Sequence, residues 1–547
     1  MLWLVIVRTE WFEMTAALKH GTIPRMVLAS CDQHRERTAV VDGKRRLGFQ
    51  DLADEMLQVG SALVERGVRP GDRVAVWAPN SAVWVIAALG ALSAGAWLVP
   101  VNTRYTPREV QYLLDKTEAK ALMLSSGFMG IDPGQLDVAG SAGDWHSNLI
   151  DLPLPGESHT ESWATFKATG TDRGLEELRE RIANGSPADI SDIMFTSGTT
   201  GRPKGVMLRH GTSLEAYEAM NAGFGLETGD VHLVVPPFFH CFGYKAGWML
   251  DLMLGATCVP MPVLTGDAVV QLIENEHVTH VSGPPTLFAT IIDHPRRDSF
   301  DLSSLRVAFL AATTIPERLV TRLHKELNIE LVMTGYGLTE NHATGAFTRP
   351  GTPLELVSKT VGQLWPGIEA RIVDENGEAV PRGERGEILL SGYPLMSGYY
   401  EDQQATESVV KDGWLHTGDI GSLDADGYLR ILDRKKDMYI VGGFNVAPAE
   451  VEETLLGLPY VAQVAVIGVP DQRLDEVGAA YIVLREGSEG DAADVVSFAR
   501  ERLANFKVPR HVRFVSSLPM NSTGKVMKAE LRAAFSREAH AERAPSQ

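Results

Sequence analysis

"DIMFTSGTTGRPKGV", residues 192–206, is the stretch on which the fold turns. Between Thr196 and Gly205 it packs four hydroxyl side chains, three glycines and one lysine. A β-rich run, "ISDIMF" (190–195), leads in, and a helical pattern, "TSLEAYEAM" (212–220), leads out. Thr212 and Glu215 have the spacing of a capping box. The expectation is therefore strand, loop, helix, the context in which backbone N–H groups and hydroxyls wrap a phosphate. Gly198 and Gly201 would let the backbone approach closely. Thr196, Ser197, Thr199 and Thr200 can donate hydrogen bonds, and Lys204 adds a point charge. The loop is not a Walker A motif, because Gly205 rather than Ser or Thr follows the lysine.

Working outward, 547 residues are too many for one typical domain. Fifty-one basic against 70 acidic residues give a net charge of −19. So acidic a chain is a poor partner for nucleic acid or an anionic membrane, and any phosphate must be bound locally. Three widely spaced cysteines, Cys31, Cys241 and Cys258, fit neither a disulfide framework nor a zinc knuckle, and a reducing cytoplasm is expected. "MLWLVIV" (1–7) is shorter than a signal-peptide core, and Met14 is a possible start. "AVWVIAALGALSAGAWLVPV" (82–101) has twenty residues without a charge. Gly90, Gly95 and Pro100 break it, so it reads as a buried helix after Ser81 and a buried strand near Trp97–Val101 rather than a membrane span.

Short β-branched runs such as "DRVAVWAP", "KALMLSS", "VTHVSGPP" and "LRVAFLAA" alternate with helical patterns, which predicts βα units with mainly parallel sheets. Between 374 and 432, turn-separated strands predict a small antiparallel piece. After "DRKKDMY" (433–439) a compact α+β stretch carries its own strands, "VAQVAVIGV" and "AAYIVL".

At this point the motifs join into a pattern. "TSGTTGRPKG", "FFHCFG" (238–243), "TGYGLTE" (334–340), "GWLHTGDIG" (413–421), "DRKKDMYIVGGFNVAPAEVE" (433–452) and "PMNSTGKVMK" (519–528) stand in one order. Together they resemble the adenylate-forming superfamily of acyl- and aryl-CoA synthetases, peptide-synthetase adenylation domains and luciferases, over about residues 25–533. The resemblance implies an adenylation domain over 15–433, a hinge at 434–437, a smaller mobile α+β domain over 438–535 and a flexible tail over 536–547. It implies ATP and CoA as co-substrates, Mg²⁺ as the metal and a carboxylic acid as the third partner.

It also implies roles. Loop residues Thr196, Ser197, Gly198, Thr199, Thr200, Gly201 and Lys204 would cradle phosphates. Tyr336, with Gly337, would stack on adenine, and Thr339 would approach the phosphate. Glu340 would hold Mg²⁺ with Thr196 nearby. Asp419 and Arg434 would read the ribose. Lys525 would reach the α-phosphate and the substrate carboxylate, offsetting charge as two anions meet. His240, with aromatic neighbours Phe239, Phe242, Tyr244 and Trp248, resembles the acyl-pocket entrance, and Asn341 and His342 would flank that pocket. Lys436 matches the hinge position, and Gly442 and Gly443 match the passage for the CoA arm. Taken alone, each residue would read as ordinary surface or core.

The chemistry implied is a two-step ligation: acid and ATP to acyl-AMP and pyrophosphate, then CoA to acyl-CoA and AMP. An enzyme loading a separate carrier protein is the alternative, with a luciferase-like oxidase and a non-catalytic binding protein behind it. "FFHCFGYKAG", "SGPPTLFATIIDHPRRDSFDLSSLR" and "VIGVPDQRLDEVG" look like the actinobacterial ligases that activate a steroid-ring acid, a propanoate on a bicyclic dione. That favours a bulky acid over a long straight chain, within an expected class of fatty or steroid-ring-derived acids of lipid and sterol catabolism. A homodimer is possible for this family.

Overall fold

The computed structural model describes residues 20–138, 140–196, 203–311, 315–434, 437–441, 444–471, 473–521 and 525–543. Among them the strands form four sheets.

The first sheet has six strands, in the order Leu149–Asp151, Ala121–Leu124, Arg73–Trp77, Trp97–Pro100, β1 (Ile190–Thr196) and β2 (Lys204–Arg209). All neighbours are parallel except β1 and β2. The uncharged run resolves as expected. Helix Ala82–Ser93 is apolar on every face and wholly buried, and the Ser81 side chain accepts the Trp84 N–H at its start. Gly90 is required there, since a Cβ would lie 2.2 Å from Val59. No helix among the described residues is long and apolar enough to cross a membrane.

One expectation fails at the decisive loop. The chain does not pass from loop to helix but returns as β2, antiparallel to β1, with Thr196 opposite Lys204. Val206 and Leu208 bury on one face. On its open edge β2 is laced to residues 396–400: Met207 N–H donates to the Gly398 carbonyl at 3.0 Å, and Tyr400 N–H to that of Gly205 at 2.7 Å. Helix α1 (His210–Phe224) begins only after that, with Arg209 at its cap and no side-chain cap bond. Thr212 and Glu215 lie inside α1, so no capping box forms.

The second sheet has nine strands around a parallel centre, with β3 (Leu331–Tyr336) near one end. The two parallel sheets bury helix Ala82–Ser93 and the aromatic residues Trp84, Phe238, Tyr244 and Trp248 in one core. The antiparallel piece is a five-stranded sheet that includes β4 (Gly386–Gly392), β5 (Trp414–Leu423) and β6 (Leu429–Arg434). The fourth sheet belongs to the C-terminal stretch and holds a hydrophobic cluster of its own. Helix α2 (Pro448–Leu455) packs on its long strand Val461–Asp471. The last helix, α3, spans Lys528–Arg543. Residues 536–543, expected as tail, thus continue that helix, as their Ala, Arg and Glu content favours. Residues 1–19 and 544–547 lie outside the described residues, and with them "MLWLVIV".

Candidate active site

Five segments come together around the end of β1. The first is β1 itself. Asp192, Met194 and Thr196 share one face of the strand. That face meets residues 241–245: Cys241 Sγ lies 3.2 Å from Met194 Sδ, and Lys245 Nζ lies 2.5 Å from Asp192 Oδ2. Of the loop itself, Ser197, Gly198, Thr199, Thr200 and Gly201 lie outside the described residues.

The second segment is the turn after β3. Tyr336 ends the strand, and its hydroxyl lies 2.5 Å from Asp419 Oδ2 on β5. The expected adenine platform and the expected ribose carboxylate are therefore in direct contact. Asp419 is 2% exposed and stands opposite Arg434 in the β5–β6 register. Gly337 permits a tight fold-back, because a Cβ would sit 2.2 Å from the Ala343 carbonyl carbon. Thr339 is buried. Asn341 closes the turn: its Oδ1 accepts the Leu338 N–H at 2.8 Å, while its Nδ2 has no hydrogen-bond partner among the described residues. His342 lies beneath, with Nδ1 2.7 Å from the Pro394 carbonyl oxygen. Burial, and then the Lys245 ammonium, push its pKa down to about 3, so it is neutral. The structure thus uses one end of Asn341 and one ring nitrogen of His342 to hold the turn.

The third segment, residues 396–400, holds Glu340 of that turn. The Glu340 backbone carbonyl accepts the Met396 N–H at 2.8 Å, and its Oε1 accepts the Tyr399 hydroxyl at 2.8 Å. Lys204 Nζ stands 5.1 Å from the centroid of the Tyr399 ring. Thr196, Lys204, Tyr399 and Glu340 are in this way linked in sequence. One carboxylate with one threonine hydroxyl fits Mg²⁺, which takes one or two protein oxygens and leaves the rest to phosphate and water.

The fourth segment carries His240, and the fifth, from the C-terminal stretch, carries Lys525. His240 precedes a one-turn helix, Cys241–Gly243, and its Nδ1 accepts the Phe242 N–H at 3.2 Å. The neutral ring proton then sits on Nε2, leaving a donor there. Burial, followed by the charge of Lys525, lowers the His240 pKa to about 4. Lys525 is exposed, and its N–H donates to Asn521 Oδ1 at 2.8 Å. The lysine lies close enough to His240 to disfavour its protonation, so the C-terminal stretch reaches this part of the site. The Cys241 thiol is pushed up chiefly by burial, with Glu340 among its charged neighbours.

Of the expected pocket aromatics, Phe242 packs edge-on to Phe309 at 5.3 Å. Tyr244 lies wholly in the core, stacked 4.7 Å from Trp248 and edge-on to Trp84. Lys436, Gly442 and Gly443 lie outside the described residues, as does the side chain of Arg434. Sequence reasoning missed Tyr399 and the Asp192–Lys245 pair. The signal for Tyr399 was weak: an aromatic pair after a glycine in "SGYYED". For Lys245, a charge within an otherwise apolar run, "GYKAGWML", was the available cue.

The fold and the order of the motifs it carries are those of an adenylate-forming enzyme. The chain belongs to the AMP-binding enzyme family: that family's model matches residues 27–400, and the model of the AMP-binding enzyme C-terminal domain matches 450–525. Among characterised relatives, it is 46% identical over 525 residues to a 3-[(3aS,4S,7aS)-7a-methyl-1,5-dioxo-octahydro-1H-inden-4-yl]propanoyl:CoA ligase of Rhodococcus jostii, covering 93% of this chain and 98% of that one. A ligase of the same name from Mycobacterium tuberculosis is 44% identical over 513 residues, covering 93% and 98%. Among solved structures, the anthranilate CoA ligase AuaEII in complex with anthranoyl-AMP superposes with a TM-score of 0.83 at 27% identity, over 95% of this chain and 98% of that one.

Proposed function

We propose that the chain is an AMP-forming acid–CoA ligase whose acid is a bulky ring compound, a propanoate arm on a bicyclic dione. The observation that carries the substrate is the likeness to the two ring-acid ligases across nine-tenths of the chain.

In the first step a carboxylate oxygen attacks the α-phosphorus of ATP, and pyrophosphate leaves. Tyr336 and Asp419, joined through their side chains, offer a flat face to adenine and an acceptor to the ribose hydroxyls. Hydroxyls and amides of the loop 196–201, with Lys204, hold the phosphates. Lys525 brings a positive charge to the point where carboxylate and α-phosphate meet. His240, neutral and carrying its proton on Nε2, can donate to a carboxylate or acyl oxygen. Magnesium, held by Glu340 and Thr196, would neutralise phosphate charge. In the second step the small domain turns about Lys436, withdrawing Lys525 and bringing Gly442 and Gly443 to the CoA arm. The thiol loses its proton and its sulfur attacks the acyl carbon, and AMP leaves. Three free, buried cysteines suit a reducing cytoplasm.

The test is CoA-dependent AMP release across a panel: the indane-dione propanoate, octanoate, palmitate and benzoate, with holo-carrier protein as a second acceptor. The ring acid with CoA is expected to give the highest kcat/KM. Preference for palmitate, or for the carrier protein, would overturn the reading.

A further inference from the structure

We propose that Tyr399 is a positioning residue of the nucleotide site, fixing Glu340 for the metal while seating Lys204 beside it. The inference rests on the reading of Glu340 as the Mg²⁺ ligand and goes beyond it to a residue outside the signature motifs.

The contacts are of three kinds. The Tyr399 hydroxyl donates to Glu340 Oε1 at 2.8 Å, so one carboxylate oxygen is occupied. The other, Oε2, receives no hydrogen bond from a described residue. The ring face meets the Lys204 ammonium at 5.1 Å, within the range of a cation–π contact. The Tyr399 backbone bridges to Val206 on β2, and its N–H donates to Thr406 Oγ1 at 2.8 Å. The residue is thus anchored through its main chain on one side and reaches both charged groups with its side chain.

This arrangement solves a local problem. Glu340 sits in a one-turn helix, Thr339–Asn341, whose backbone is pinned by Met396 and Asn341. Its side chain still has three torsions to settle. A loose carboxylate loses part of its metal affinity to conformational entropy. A tyrosine donor fixes the rotamer without neutralising the charge. A lysine donor would cancel that charge, and here Lys204 is held over the ring instead of against the carboxylate. A tyrosine hydroxyl carries its proton at neutral pH, so it stays a donor. Outer-shell partners of ligating carboxylates typically cost about 10–100-fold in metal affinity when removed.

The experiment is a mutant cycle on the full-length enzyme with Y399F, E340Q and Y399F/E340Q. Manganese binding to the complex with a non-hydrolysable ATP analogue is measured by electron paramagnetic resonance. Pyrophosphate–ATP exchange is followed against free Mg²⁺ in parallel. Y399F is expected to weaken Mn²⁺ binding about tenfold or more. It should raise the Mg²⁺ concentration for half-maximal exchange by a similar factor. The double variant should bind metal no worse than E340Q alone. Unchanged Mn²⁺ affinity in Y399F, beside a loss in E340Q, would overturn the role of Tyr399. Additive losses would do the same. Wild-type affinity in E340Q would remove Glu340 from the metal site, and the proposal with it. E340D draws the carboxylate back from the hydroxyl but keeps its charge. It should lose affinity as Y399F does, and it serves if the phenylalanine variant does not fold.

Discussion

Glu218 shows how far burial can move one group. It lies on α1 three residues after Glu215, so the two carboxylates are neighbours on one helix face. Burial, and then the charge of Glu215, raise its pKa to about 7. The native state therefore holds a proton there that the unfolded chain gives up near pH 4. The associated stability is complete below that value and is lost as pH rises through about 7. Glu218→Gln is expected to raise the urea midpoint at pH 8, with an unfolding free energy above wild type by roughly 1–3 kcal/mol. The difference should shrink toward zero near pH 5. Equal midpoints at pH 8 would show that the side chain ionises without cost.

At the scale of elements, β1 is fastened to residues 241–245 by the buried Asp192–Lys245 pair. Both side chains are 0% exposed. Lys245 Nζ also meets Ser213 Oγ at 3.0 Å and the Tyr244 ring at 4.2 Å, so its donors are used on β1, α1 and the π-helical turn Tyr244–Met249. Removing one partner strands the other as a buried charge. Lys245→Met is expected to cost about 3–5 kcal/mol in urea unfolding, whereas Asp192→Leu with Lys245→Met together should cost less than the sum. Strict additivity would mean that the pair is not coupled. Element identity was largely legible in the chain, because long apolar runs and turn residues are local signals. The exception was β2, read as part of a loop. Its pairing depends on residues 396–400, which no local pattern announces.

At the scale of the whole molecule, the proposed division of labour puts adenylation and thioester formation on two orientations of the small domain. Lys525→Ala should abolish pyrophosphate exchange while leaving thioester formation from supplied acyl-AMP largely intact. Lys436→Pro, stiffening the hinge, should have the opposite bias. Equal losses in both half-reactions for either variant would contradict the division. Lys525 lies near His240, as the first of those proposed orientations requires.

Residue types and their order, read without coordinates, determined the class of chemistry: hydroxyls and glycines before a lysine, a tyrosine and glutamate in one short turn, an aspartate, and a late lysine. Each of these is a local signal, carried within about ten residues of chain. Only the tertiary structure decided which of them touch. Asp192 and Lys245, Glu340 and Tyr399, and Tyr336 and Asp419 meet across 53, 59 and 83 residues. Those meetings are set by strand order and register, and a buried polar group has no local signature until its partner is in place.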